Sequence, residues 1–350
     1  MRFLSEVYSS VSAINHPLST LNFPFRFTPF RPRIDERHLP AMLRARFLCM
    51  SGDLYHLDDL SSRERLDAGH EIPARLAVIG CPVAHSASPR MHQPALDEAG
   101  IAARYVKIEV DPGRVAEAFR RMRELGFIGC NVTVPHKFEA MAACTDIDPG
   151  AQEMGAVNTV RFEENSTRGF NTDGPGFEAA ITEAFSIPLK DLDVLIAGAG
   201  GGAGGALAAH CARAGVRRLV LANRSLDKIE ALALSIRRYH PGLRVDVLAL
   251  GDPVLPDLAR QCQLLVNTSS VGLKADDPSP LPPESFTAGQ RVFDTIYQPP
   301  LTAFLAGAQA AGAITANGAS MLLHQGIHAF RLWFPGSHPA AAMRRGLAAG

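Results

Sequence analysis

Val194-Leu195-Ile196-Ala197-Gly198-Ala199-Gly200-Gly201-Gly202-Ala203 runs a short apolar segment straight into glycines. The apolar tetrapeptide bounded by Gly198 reads as a buried strand, and the small-residue stretch from about Gly201 to Ala214 reads as a helix. Glycines at a strand-to-helix turn permit a tight bend and let a pyrophosphate approach the free N–H groups of a helix N-terminus. A glycine-rich packing turn is the plain alternative. The place of the run, between strand and helix, favours the nucleotide reading. Outward from it come a strand at 218–222, a helix near 227–239, and strands at 244–248, 264–267 and 291–294. Strands alternating with helices imply a parallel sheet with both faces covered.

The end of the strand at 218–222 sets the cofactor preference. An NAD site carries Asp or Glu there to accept from the ribose 2′-hydroxyl. Here the chain reads Ala222-Asn223-Arg224-Ser225, with Lys228 one turn on. Arg224 can stack on adenine and, with Lys228, neutralise a 2′-phosphate, while Asn223 and Ser225 donate hydrogen bonds. These residues favour NADP. A solvated arginine opening a helix, with Ser225 as its N-cap, is the plain alternative. Residues 175–316 are expected to form a Rossmann-type NADP-binding domain.

A second series lies upstream. Leu76-Ala77-Val78-Ile79-Gly80 reads as a buried strand, and residues 89–100 as a helix with Pro near its start and Gly past its end. Residues 105–110 alternate as a strand, 115–125 form an amphipathic helix, and 127–133 make a third strand. Residues 317–334 read as a helix whose apolar positions need a surface to cover. The expected fold class is α/β with two domains. One is an N-terminal, mostly parallel α/β domain over 71–174, completed by 317–350; the other is the Rossmann-type domain.

The whole chain has 350 residues, enough for two domains, with 47% hydrophobic and 20% charged residues. Thirty-five basic residues balance thirty-five acidic ones, which argues against a nucleic-acid or anionic-membrane binder. Only five of the basic residues are lysines: Lys107, Lys137, Lys190, Lys228 and Lys274. A lysine in an odd context therefore carries weight. Six cysteines show no C-x-x-C pair and no zinc spacing, so no metal is expected and reduced thiols in a cytoplasmic protein are the natural reading. No stretch approaches the roughly 20 apolar residues of a membrane span. Residues 1–70 differ from the rest, being rich in Phe, Pro and Arg without a hydrophobic period, and are expected to be an irregular extension. For residues 1–49 a transit peptide, a disordered extension and an upstream start before Met50 all stay open.

Polar residues stand at several strand ends of the upstream series: Ser86 and Ser88 before a helix, Asn131 and Thr133 before Lys137, Asn158 inside an apolar run, and Asp173 after Asn171-Thr172. Singly, each has a bland reading as a cap, a turn or an internally bonded amide. In order, the segments GCPVAHSASP (80–89), NVTVPHK (131–137), GAVNTV (155–160), NTDGPG (171–176), GAGG (198–201), NRS (223–225), VNTSSVG (266–272), DTIYQP (294–299) and NGASMLLHQ (317–325) resemble the shikimate dehydrogenase family, with its quinate/shikimate relatives. The resemblance covers about residues 74–345.

It implies a substrate domain followed by a cofactor domain, and the reversible reduction of 3-dehydroshikimate to shikimate by NADPH. Lys137 and Asp173 match the family's catalytic pair. A ketone that accepts hydride develops negative charge on oxygen, and a lysine protonated at neutral pH can stabilise and protonate it. Ser86 and Ser88 match carboxylate-binding hydroxyls. Thr133, Asn158, Asp173, Tyr297 and Gln325 match the other substrate contacts. Gly198, Ala199, Gly200, Gly201 and Gly202, with Asn223, Arg224, Ser225, Lys228, Thr295, Gly318 and Met321, match cofactor positions. The implied partner is a small-molecule substrate, with neither nucleic acid nor membrane, and the chain is a monomer or homodimer.

The family's phosphate clamp often has Arg where this chain has Lys228 and Thr where it has Ser225, which weakens bidentate geometry and with it NADP selectivity. Two rivals stand beside an NADP-dependent shikimate dehydrogenase: a quinate/shikimate dehydrogenase with relaxed or NAD preference, and a non-catalytic NADP-binding regulator. The intact Lys137/Asp173 pair argues against the second.

Overall fold

The computed structural model describes residues 54–349, which among them build two sheets. The first takes strands β1 (Leu54–His56), β2 (Ala74–Gly80), β3 (Arg104–Glu109), β4 (Gly129–Val132), β5 (Asp146–Ile147), β6 (Thr159–Phe162) and β7 (Thr167–Phe170) in the order β1-β3-β2-β4-β6-β7-β5. Neighbours run parallel except at β6, which is antiparallel to both β4 and β7. Its helices are α1 (Arg63–Leu66), α2 (Ser88–Glu98), α3 (Val115–Glu124), α4 (Lys137–Ala143) and α5 (Pro149–Met154), while α6 (Asp173–Phe185) leads out of it and buries Phe177, Ala180 and Ile181 in the core of the second sheet. In α3 the buried residues Val115, Ala118, Phe119 and Met122 recur at helical spacing. They cover the face of the sheet that presents Val106, Ile108 and Val132.

The second sheet is wholly parallel. Its strands are β8 (Asp193–Ala197), β9 (Arg218–Asn223), β10 (Arg244–Ala249), β11 (Leu264–Asn267), β12 (Arg291–Asp294) and β13 (Ile314–Asn317), ordered β10-β9-β8-β11-β12-β13. This is the doubly wound dinucleotide-binding order, and its direction reverses between β8 and β11, where such sheets open a crevice for ligand. Helices α7 (Gly202–Arg213), α8 (Leu226–Tyr239), α9 (Leu255–Gln261) and α10 (Ala303–Ala310) connect the strands. Two terminal helices, α11 (Ala319–Trp333) and α12 (Ala340–Ala348), return to the first sheet, where Leu323, Ile327, Phe330, Trp333 and Met343 join Leu76, Val78 and Met91 in one core. That core is the surface the terminal helix needs.

The α/β class and the two-sheet architecture agree with expectation; three local readings are corrected. Residues 54–66 are not an irregular extension: β1 pairs with β3, and Leu57, Leu60 and Leu66 are buried in the first core. Their elements span three to five residues, too few to show a period. The readings left open for residues 1–49 lie outside the described residues, as does Cys49. The terminal helix begins at Ala319 rather than Asn317, because Asn317 ends β13. Ser88 does not cap α2; the cap position is Ala87, and Ser86 Oγ accepts the Ser88 N–H at 3.3 Å.

Candidate active site

A cleft of about 370 Å³ lies between the C-terminal ends of β2 and β4 and the start of α11. A larger hollow of about 620 Å³ is lined by Leu301, Leu305, Leu323 and Leu347 together with Gln309, Asn317, Ser320 and Arg344, and its lining includes no carboxylate, lysine, histidine or cysteine. Convergent polar groups mark the smaller one as the site.

Its floor is built by two helix starts. Lys137 is the first residue of α4 and Asp173 the first of α6. A carboxylate at a helix N-terminus is favoured by the helix dipole, and a cation there is opposed by it. Asp173 offsets that opposition: Lys137 Nζ donates to Asp173 Oδ2 at 2.6 Å, with the two side chains 12% and 9% exposed. The other oxygen, Oδ1, accepts from Asn158 Nδ2 at 2.8 Å. Asn158 is satisfied as well, since its Oδ1 accepts the Thr172 N–H at 2.8 Å and its Nδ2 also reaches Thr172 Oγ1 at 3.1 Å. Asn171 accepts the Asp173 N–H at 3.0 Å and donates to the Ala156 carbonyl at 2.9 Å. The asparagine in an apolar run is thus the brace of the acidic residue.

One wall carries Ser86 and Ser88, whose hydroxyls meet at 3.2 Å, with Thr133 beside them. The opposite wall brings Thr295, Tyr297, Gly318, Met321 and Gln325 to the same cleft. Asp294 holds this wall from behind. It is fully buried and accepts from Thr302 Oγ1 at 2.6 Å, the Ile296 N–H at 3.0 Å and Asn267 Nδ2 at 3.1 Å. Burial pushes its carboxyl above the usual range, against these three donors.

The glycine turn lies between β8 and α7. Gly198 has φ +84°, and a Cβ on it would lie 2.6 Å from the backbone N of Ser269. A Cβ on Gly200 would lie 2.4 Å from Asn223 Nδ2 and 3.2 Å from Lys228 Cβ. The turn therefore presents bare backbone next to the end of β9. Ala199, Gly201 and Gly202 complete it, and Gly202 faces Lys137 and Phe138 across the cleft at 3.8 Å from its would-be Cβ. Arg224, Ser225 and Lys228 are exposed at the start of α8, and the Ser225 hydroxyl makes no capping bond, so capping does not account for it.

The sequence singles out Asn131 by its place before Lys137 but gives it no role, and Gly204 escapes the sequence reading. Asn131 lines the cleft and is buried, with Oδ1 accepting from Tyr105 Oη at 2.6 Å and Nδ2 donating to Thr159 Oγ1 at 3.1 Å. Burial holds the Tyr105 phenol well above its usual range, so it stays a donor. Gly204 presses on the turn: a Cβ there would come within 2.6 Å of the Gly198 carbonyl and of Thr268 Oγ1. A glycine amid alanines in a helix is the signal that could have found it. His136 is structural, its Nε2 lying 2.7 Å from the Val110 carbonyl. Among the described residues no group of three or more His, Cys, Asp or Glu side chains is placed to hold a metal ion, and no helix is long and apolar enough to cross a membrane.

Residues 78–160 match the family model of the shikimate dehydrogenase substrate binding domain. A shikimate dehydrogenase (NADP(+)) from Moorella thermoacetica is 40% identical over 272 residues, covering 77% of this chain and 91% of the relative. A crystal structure of a shikimate dehydrogenase in complex with NADP+ superposes with TM-score 0.72 at 32% identity, over 78% of this chain and 94% of that one. The shikimate 5-dehydrogenase of Thermus thermophilus, solved with NADP(H) and shikimate, gives TM-score 0.68 at 38% identity, over 79% and 99% of the two chains.

Proposed function

The chain belongs to the shikimate dehydrogenase family, and from that premise we propose that it catalyses the reversible, NADPH-dependent reduction of 3-dehydroshikimate to shikimate, a step of aromatic amino-acid biosynthesis. The observation that carries the reading is the Lys137–Asp173 pair at 2.6 Å, set in a cleft walled by paired serine hydroxyls and reached by the glycine turn.

Residues 71–174 and 317–350, joined by 54–66, serve as the substrate part, and residues 175–316 as the cofactor part. Ser86 and Ser88 hold the ring acid's carboxylate. Thr133, Asn158, Tyr297 and Gln325 match its hydroxyls, and analogues lacking one leave a buried polar group unsatisfied. Lys137 gives a proton to the carbonyl oxygen as negative charge develops there, and takes it back in the reverse direction. Asp173 orients the ammonium. The residues fit NADP: bare backbone at Gly198–Gly202 suits a pyrophosphate, while Asn223, Arg224, Ser225 and Lys228 suit a 2′-phosphate, with Thr295, Gly318 and Met321 at the reacting end. When bound, the dinucleotide supplies or accepts the hydride. The free thiols of Cys130, Cys211 and Cys262, all buried, accord with a cytoplasmic enzyme, acting as a monomer or homodimer.

Absorbance of reduced nicotinamide, with shikimate and quinate each crossed with NADP and NAD, tests the reading. Fast reduction with shikimate and NADP is expected. Comparable rates with quinate or NAD assign the chain to the broader relative, and binding without turnover in any combination overturns catalysis.

A further inference from the structure

Lys107 is one of the chain's five lysines, and none of the motifs accounts for it. Side chains alternate along a strand, so Lys107 and Glu109 of β3 project from one face, next to the segment that leaves β2. Lys107 Nζ donates to the Ala84 carbonyl at 2.6 Å, and the Glu109 carboxylate accepts from the Val83 N–H at 3.3 Å. Opposite charges on one strand thus grip successive residues of a single turn. The grip continues into the cleft. The Val83 carbonyl accepts the Ser86 N–H at 3.0 Å, Ser86 Oγ accepts the Ser88 N–H at 3.3 Å, and the two hydroxyls meet at 3.2 Å.

Lys107 is half-buried beside the Arg90 guanidinium. Burial and the neighbouring Arg90 guanidinium both work against its charge and hold its ammonium below the usual lysine range. A loop end could be pinned without a partly buried cation. What a cation adds here is a charge-assisted bond that stiffens the turn, and positive potential behind hydroxyls that face an anion.

We propose that Lys107 and Glu109 are positioning residues that fix the Ser86–Ser88 hydroxyl pair and thereby set the affinity for the carboxylate of the ring-acid substrate. The inference rests on the proposed function. Holding the hydroxyls in the bound geometry removes an ordering cost that binding would otherwise bear. The effect is therefore confined to substrate affinity and leaves the Lys137 proton transfer and the cofactor site alone.

Steady-state kinetics of the full chain with shikimate and NADP test this, using Lys107→Met, Lys107→Arg and Glu109→Gln. Loss of a charge-assisted bond should raise the KM for shikimate about tenfold in Lys107→Met, with kcat and the KM for NADP within about twofold. Lys107→Arg, which keeps the charge and the donor, should recover most of the loss, and Glu109→Gln should raise the same KM about threefold. An unchanged KM for shikimate in Lys107→Met overturns the proposal. So does a joint decline of kcat and both KM values that arginine does not rescue. A native chain that turns over shikimate while Lys107→Met keeps its KM removes this inference alone; a native chain that does not turn over shikimate removes the proposed function and this inference together.

Discussion

The Asp173 carboxylate is gripped at both oxygens, by Lys137 Nζ at 2.6 Å and by Asn158 Nδ2 at 2.8 Å. A carboxylate fixed in this way can neither rotate nor swap partners, so it holds the ammonium at one point of the cleft. Asn158 reaches it from the loop before β6, and Lys137 from the first turn of α4. The brace is therefore assembled from chain segments that only the folded first sheet brings together.

Removing the ammonium should abolish chemistry without disturbing cofactor binding. Lys137→Met is expected to lower kcat about 10²- to 10⁴-fold, with the KM for NADP within about threefold, as for loss of a general acid. Asp173→Asn should lower kcat by a similar order, because the amide keeps the shape but no longer anchors a cation. Single-turnover hydride transfer measured for both variants checks this. Near-native kcat in Lys137→Met would take the catalytic role from Lys137.

The second sheet was legible because its strands are what the physics of a covered parallel sheet demands, short apolar runs such as Val194–Ala197 and Leu264–Val266. β13 was not: Ile314-Thr315-Ala316-Asn317 is an edge strand with Ile314 half exposed, and its composition does not separate it from a helix start. In the first domain the apolar strands β2, β3 and β4 were plain, whereas the short β1 (Leu54–His56) and β5 (Asp146–Ile147) were not, and neither was the site. Lys137 and Asp173 stand 36 positions apart, and each alone reads as an ordinary helix start. Only the family resemblance joined them. Asn131 stands out in the sequence as a polar residue before Lys137, but its role does not, because its partner, the Tyr105 hydroxyl, lies 26 residues upstream on another strand.

The glycines of the turn should not be equal. In Gly198→Ala the φ of +84° becomes strained and the methyl meets the Ser269 backbone at 2.6 Å, which no side-chain shift relieves. Gly204→Ala drives a methyl against the Gly198 carbonyl at 2.6 Å. Both should raise the KM for NADP at least about tenfold or destabilise the domain by about 1–3 kcal/mol. Gly205→Ala has its nearest neighbour at 3.8 Å and should gain about 0.5–1 kcal/mol from helix propensity. Thermal melts and NADP titrations of the three variants read the difference directly, and equal behaviour would remove the steric account.

Cofactor choice should rest on the exposed cations at the start of α8. Arg224→Ala is expected to raise the KM for NADP by about 10- to 100-fold, the worth of a charge-assisted phosphate contact, and to leave that for NAD within about threefold. Lys228→Ala should act in the same direction and more weakly, since an ammonium lacks the bidentate fork. Kinetics with both dinucleotides decide it. Equal losses for NAD and NADP would mean that Arg224 serves the adenine rather than the 2′-phosphate.

His92 should set part of the acid limit of stability. It is 0% exposed, it stacks on Tyr105 with ring centroids 4.5 Å apart and planes 3° from parallel, and its ring nitrogens find no partner among the described residues. Burial pushes its pKa from 6.5 down to about 3. The unfolded chain therefore binds a proton that the folded chain refuses between those two values. Stability from this group is complete above about pH 6.5 and is lost as pH falls toward 3, by about 2 kcal/mol between pH 7 and pH 5. His92→Phe keeps the aromatic stack with Tyr105 and has nothing to protonate. Denaturant melts at pH 7 and pH 5 should show a wild-type loss larger than the variant's by about that amount, the difference cancelling every other titrating group. Parallel losses in the two proteins would mean that His92 is protonated as easily folded as unfolded, which its burial among Tyr105, Phe330 and Trp333 argues against.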